Sequence, residues 1–366
     1  MQQFVYFGDA TFFPGPTSTD ITALDAQTGT QIWRTAISSG SPGGHSSLQL
    51  LNDTLYIVHA DSSDTLFPDT VTAINRLNGQ IIWRYRLTNQ PEAQIIAAHI
   101  LHDVICIQTL AIHDGRLQTA IEAIRTSDAA PCWRYSQPTE LLGQCLATEK
   151  GLLLFSGTQN PLDNQVHTTV RYLHATTGQQ LWQFTPSYAV EKITATSDVL
   201  IVSGSQADQS TTEVTALEAR RGTPLWNTTI AKPTIQALVT LDTTIYLNDL
   251  YFLAALNSED GKVLWMAHEM YQVGIVTTVQ ADRLYVHQNN EALTALDCRT
   301  GTPIWSTKLE SCGVFTLADR DTVYTATNFL GTMNALQASN GQLRWSYANE
   351  PGRRIFGLAI RARLSF

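Results

Sequence analysis

The sequence predicts an all-β protein, an eight-bladed β-propeller of four-stranded antiparallel blades. Three observations carry that expectation. A segment typified by Ile21-Thr-Ala-Leu-Asp-Ala-Gln-Thr-Gly-Thr-Gln-Ile-Trp33 recurs eight times, and each copy closes on one of the chain's eight tryptophans. Those residues are Trp33, Trp83, Trp133, Trp182, Trp226, Trp265, Trp305 and Trp345. They follow one another at intervals of 50, 50, 49, 44, 39, 40 and 40 residues, the ~40–50 of a four-stranded blade. Within each copy, apolar and polar residues alternate on the approach to a fixed turn, the period of a strand and not of a helix.

Each column of the repeat has a physical reading. Four residues before Trp stands Gly29, Gly79, Gly178, Gly222, Gly261, Gly301 or Gly341, with Ala129 in the third copy. A glycine fixed there, mostly after Thr, Asn or Asp, suits a tight turn with positive φ. Ten residues before Trp stands Ala in seven copies and Tyr172 in the fourth. A small side chain held in one register implies close packing, most simply against a neighbouring sheet. The segment thus reads as strand, Gly turn and a strand ending in an aromatic anchor, a β-hairpin. Upstream lies a second β-rich run, such as Leu55–Val58 or Val104–Ile107, and before it another, such as Ser47–Leu51 or Gly313–Leu317. Four runs, A to D, make a blade.

The first copy has no A strand of its own. The run Arg354–Ile360 after the last Trp matches the missing register. It is expected to pair beside Phe4–Phe7, closing the ring and removing its free edges. Residues 1–366 then form one repeat domain, although length alone would suggest two or three.

The motif Ala-Leu-Asp-x-x-Thr-Gly-x-x-Ile-Trp resembles the repeat of the PQQ-like, or quinoprotein alcohol dehydrogenase-like, β-propellers. That family includes eight-bladed quinoprotein dehydrogenases and BamB-type outer-membrane assembly lipoproteins; the broader architecture is WD40-like. The resemblance covers essentially the whole chain. It implies that the eight tryptophans brace adjacent blades. In the family's enzymes, PQQ lies in the central funnel with Ca²⁺ or a lanthanide, a catalytic Asp and a disulfide between adjacent cysteines. This chain has no adjacent cysteines, little length for added insertions, and no tryptophan outside the repeat. The non-catalytic, BamB-like branch is therefore the expectation, with no cofactor. A PQQ- and Ca²⁺-dependent dehydrogenase, or a propeller binding a small ligand in its funnel, is the alternative.

Composition narrows the partners. With 32 acidic and 23 basic residues the net charge is −9, which argues against nucleic acid or an anionic membrane surface. Charged residues make up only 15%, a sparseness common in extracytoplasmic β proteins. The opening Met1-Gln-Gln-Phe has neither the basic start nor the apolar core of a signal peptide, and no run is long enough to span a bilayer. The compartment is expected to be periplasmic or cell-surface if a targeting segment was removed, and cytoplasmic otherwise. The expected form is a bacterial monomer or a domain of a larger protein. Five scattered cysteines read as buried small hydrophobes, and His99, His102 and Asp103 as structural residues without a third metal ligand.

The copies differ mainly between strands B and C. Long connections are expected at Gly8–Thr19, Asp61–Asp69, Leu110–Gln118, Gly157–Thr168 and Gly204–Glu213, and short ones near Asn248–Leu250 and Gln288–Asn290. All emerge on one face with the D–A connections. Insertions concentrated on one face mark a binding face. A protein partner is accordingly expected there, with Phe12, Phe13, Phe67, His113 and Asp163 as candidate contact residues.

Overall fold

The computed structural model describes residues 3–11, 18–39, 47–60, 68–87, 93–113, 115–137, 140–159, 166–206, 211–231, 235–249, 252–268, 276–288, 292–309, 315–327 and 331–360. Eight sheets of four antiparallel strands stand in a ring, an eight-bladed β-propeller. In blade 1 the C-terminal strand Arg353–Ile360 supplies strand A and pairs with Phe4–Thr11, from Val5↔Ile360 to Thr11↔Arg353. The ring closes as the repeat register implies. Neighbouring A strands lie against one another around the central channel. Among the described residues, no helix is long and apolar enough to cross a membrane.

The core is divided among the blade interfaces. Eight hydrophobic clusters occur, each shared by two adjacent blades. Each interface is pinned by a tryptophan, whose indole N–H donates to a backbone carbonyl of the next blade. Trp33 reaches Arg76 O at 3.1 Å, Trp83 Thr126 O at 2.9 Å, and Trp345 Ala26 O at 3.0 Å across the closure. The other five do the same, to Ala175, Ala219, Ser258, Cys298 and Ala338. A bond of this kind contributes about 1 kcal/mol net.

The turn glycine explains itself against that indole. At Gly79 φ is +73°, and an added Cβ would lie 2.4 Å from Thr35 Oγ1 and 2.8 Å from the Trp33 ring. Every other glycine of this column likewise faces the tryptophan of the preceding blade. Ala129 adopts the same left-handed backbone at φ 59° and packs against the same hydrophobic cluster as Trp83.

Three expectations are corrected. Cys106, Cys145 and Cys298 are buried, but Cys132, in the outer strand of blade 3, is exposed. The tryptophan does not end strand D; it is its third residue, as in Gln31–Ser38, and the strand runs on beyond it. A β-bulge just before Trp, at Ile32 in blade 1, occurs in all eight D strands and sets the indole in register. Nor is the conserved-register Ala small only because of a neighbouring sheet. Ala23 pairs with Trp33 on one side and Tyr6 on the other. The two aromatic rings meet over it with centroids 5.9 Å apart, a pairing worth about 1 kcal/mol beyond area burial. Blades 2, 6, 7 and 8 repeat the arrangement. Blade 4 moves its aromatic one strand over, so Tyr172 stacks on Trp182 at 5.3 Å and Leu153 takes the B position.

Candidate functional site

The B–C connections leave on the same face as the D–A connections, and the A–B and C–D turns leave on the other. The extended arc of the first face differs from a set of long loops. In blades 1, 3, 4 and 5 strands B and C continue into those segments, pairing out to Thr11↔Ser18, His113↔Arg116, Gln159↔Val166 and Ser205↔Thr212. The cause is local: β-prone runs such as Leu110-Ala-Ile and Leu117-Gln-Thr satisfy backbone groups by pairing. Blades 6 and 7 have short connections, pairing up to Asn248↔Leu253 and Gln288↔Ala292.

Among the described residues, blade 3 carries the longest B–C hairpin, Val104–His113 with Arg116–Arg125. Near its tip, Ile112 and Leu117 are direct cross-strand neighbours and remain 57% and 53% exposed. Leu141, at the start of blade 4, is also exposed. The following Leu142 N–H donates to Thr119 Oγ1 at 2.7 Å, tying blade 4 to the hairpin stem. Of the expected contact residues, His113 ends the B strand of this hairpin. Phe12, Phe13, Phe67 and Asp163 lie outside the described residues.

At the ring closure the same face holds a buried ionic network. Asp9, fully buried, accepts from Arg353 Nε at 2.5 Å and from Asn349 Nδ2 at 2.8 Å. Arg353 Nη2 also contacts Asp20 at 2.8 Å, and Arg34 Nε donates to Asp20 at 2.9 Å. Burial pushes the Asp9 carboxyl above the ordinary aspartate value, against the opposing pull of Arg353 and Arg34.

On the turn face the channel opens into a cavity of about 540 Å³. Its wall is mainly aliphatic, with Leu48, Leu50, Ile100, Leu317, Leu358 and Ile360; Lys150 and His102 are among its polar residues. Thr148, Glu149 and Lys150, in the A–B turn of blade 4, also line it. His99, in strand A of blade 3, has its pKa pushed down to about 4 by burial. His102 sits in the following turn and contacts the Glu149 carbonyl of the next blade. Among the described residues no three His, Cys, Asp or Glu side chains gather as a metal site.

Ring, braces and funnel together define an eight-bladed PQQ-like propeller. The sequence profile described as outer membrane protein assembly factor BamB matches residues 2–152, 166–311 and 253–360, and the chain belongs to that family. No curated protein sequence is a significant match. Among solved structures, BamB from Moraxella catarrhalis is similar at 13% identity and a TM-score of 0.57, over 87% of this chain and 92% of that one. AztD from Citrobacter koseri is similar at 9% identity and a TM-score of 0.64, over 98% and 97%. A europium-containing methanol dehydrogenase follows at 11% and 0.53, over 88% and 83%. At these identities the likenesses establish the fold alone.

Proposed function

We propose that the chain is a non-catalytic scaffold that holds a protein partner on the face bearing the long B–C connections of blades 1 to 5, which continue as hairpins in blades 1, 3, 4 and 5. The observation carrying this reading is the exposed pair Ile112 and Leu117 at the end of the longest hairpin, with Leu141 exposed on the adjoining blade. Aliphatic side chains grouped near a hairpin tip favour coverage by another surface. The ring holds them rigidly, so little ordering cost attends docking. Membership of a family described by outer-membrane assembly supports an envelope partner, and hence an extracytoplasmic location.

The dehydrogenase alternative rests on the methanol dehydrogenase likeness. PQQ with Ca²⁺ is an anionic quinone with a divalent cation. The described residues do not fit that pair well: the cavity wall is mainly aliphatic, and all eight indoles are engaged between blades. The reading is tested by placing a photocrosslinker at Leu117 and, as control, at Leu264 on the outer perimeter, in cells producing the full chain. A discrete adduct specific to position 117, lost in an Ile112→Asp background, is expected. The same adducts from both positions, or none from 117, would count against it.

A further inference from the structure

The repeat supplies its own control for a second surface. The bulged position just before Trp holds an aliphatic residue in six blades and Cys132 in a seventh; in blade 8 it holds Arg344. A bulge re-aims its side chain away from the regular pleat. Here it presents a guanidinium to a groove of about 600 Å³ on the turn face, at the seam of blades 8 and 1. Arg320, from the A–B turn of blade 8, lines the same groove, as do the amides of Gln27 and Gln280.

Blade 1 carries the small Ala26 at this position, as blades 4, 5 and 8 carry Ala175, Ala219 and Ala338, where blade 2 carries Arg76. Arg76 reaches Asp53 at 2.6 Å within its own seam.

Neither guanidinium is engaged in a direct ion pair among the described residues. Arg34, Arg76, Arg86, Arg171 and Arg353 all have carboxylate partners. Arg344 instead donates Nη1 to Thr322 Oγ1 at 2.8 Å. Neither Arg344 nor Arg320 has a carboxylate within ion-pair distance among the described residues. Of the two acids lining the groove, Asp319 is occupied with its own turn, accepting from the N–H groups of Asp321 and Thr322 at 2.9 and 2.8 Å. Those bonds leave Asp319 charged, so Asp319 and Asp321 are both competing negative charges.

We propose that this groove binds a compact oxyanion, the carboxylate or phosphate group of a small polar molecule, between Arg320 and Arg344. Planar guanidinium donors match such groups in charge and hydrogen-bond geometry. The site lies on the face opposite the hairpins and does not depend on the scaffold reading.

The test is calorimetric titration of the full chain with citrate and, separately, with inorganic phosphate, against chloride at matched ionic strength. Saturable one-site binding of at least one anion is expected, and the one that binds identifies the source. Arg344→Leu restores the residue type of the other blades and so should fold. It should weaken binding about tenfold or more, with the unliganded melting temperature held or raised. Asp321→Asn should tighten binding severalfold. The proposal is overturned if neither anion exceeds the chloride control up to ~10 mM, if Arg344→Leu binds like wild type, or if Asp321→Asn fails to tighten binding.

Discussion

Replacing Ala129 by Gly removes the only Cβ that stands, in the turn column, between a brace tryptophan and the next blade. Ala129 holds φ at 59°, where an L side chain costs about 1–2 kcal/mol. The glycine forfeits about 0.5–1 kcal/mol through its freer unfolded chain. The net expectation is a gain of about 0.5–1 kcal/mol. Gly79→Ala is the opposite experiment: it adds the left-handed penalty and drives a Cβ to 2.4 Å from Thr35 Oγ1. With overpacking included, the loss is about 3 kcal/mol. For 366 residues, an unfolding entropy of about 2.1 cal/mol/K per residue makes 1 kcal/mol worth about 1.3 °C. Scanning calorimetry should therefore show Ala129→Gly melting about 1 °C higher and Gly79→Ala about 4 °C lower. A destabilised Ala129→Gly, or a neutral Gly79→Ala, would refute the account of the brace.

Two further outcomes follow from buried charge. Arg353→Met leaves Asp9 buried beside the ring closure without its principal cation, and should cost about 3–5 kcal/mol in denaturant unfolding; adding Asp9→Asn should recover part of that loss, and no recovery would place the effect in packing. Burial lowers the His287 pKa from 6.5 to about 4, so the unfolded chain binds the extra proton first. The stability tied to neutral His287 is complete above pH 6.5 and is lost as pH falls toward 4. It amounts to about 3 kcal/mol at most, and a His287→Gln variant should show a shallower acid decline in urea melts than wild type.

Much of the fold was legible because the chain states its blade eight times. The Trp column, the Gly turn and the strand displaced to the C-terminus all follow from register. What was not legible depended on pairing across strands. In five blades the Ala is small because Tyr and Trp of its own sheet meet above it, and a one-dimensional pattern does not reveal which strand supplies the second ring. The continued pairing of strands B and C is not legible because polar residues in those segments mask it. The Asp9–Arg353 contact joins residues 344 positions apart, with no local signal. Arg344 did have one: it is the single charged residue in its column.

The most direct test of the non-catalytic reading is titration of the purified full chain with PQQ and Ca²⁺, following tryptophan fluorescence and melting temperature together. A ligand bound only by the folded state raises the melting point with occupancy. The scaffold account predicts no saturable change in either signal. A saturable quench with a matching rise in melting temperature would contradict it and make the funnel a cofactor site.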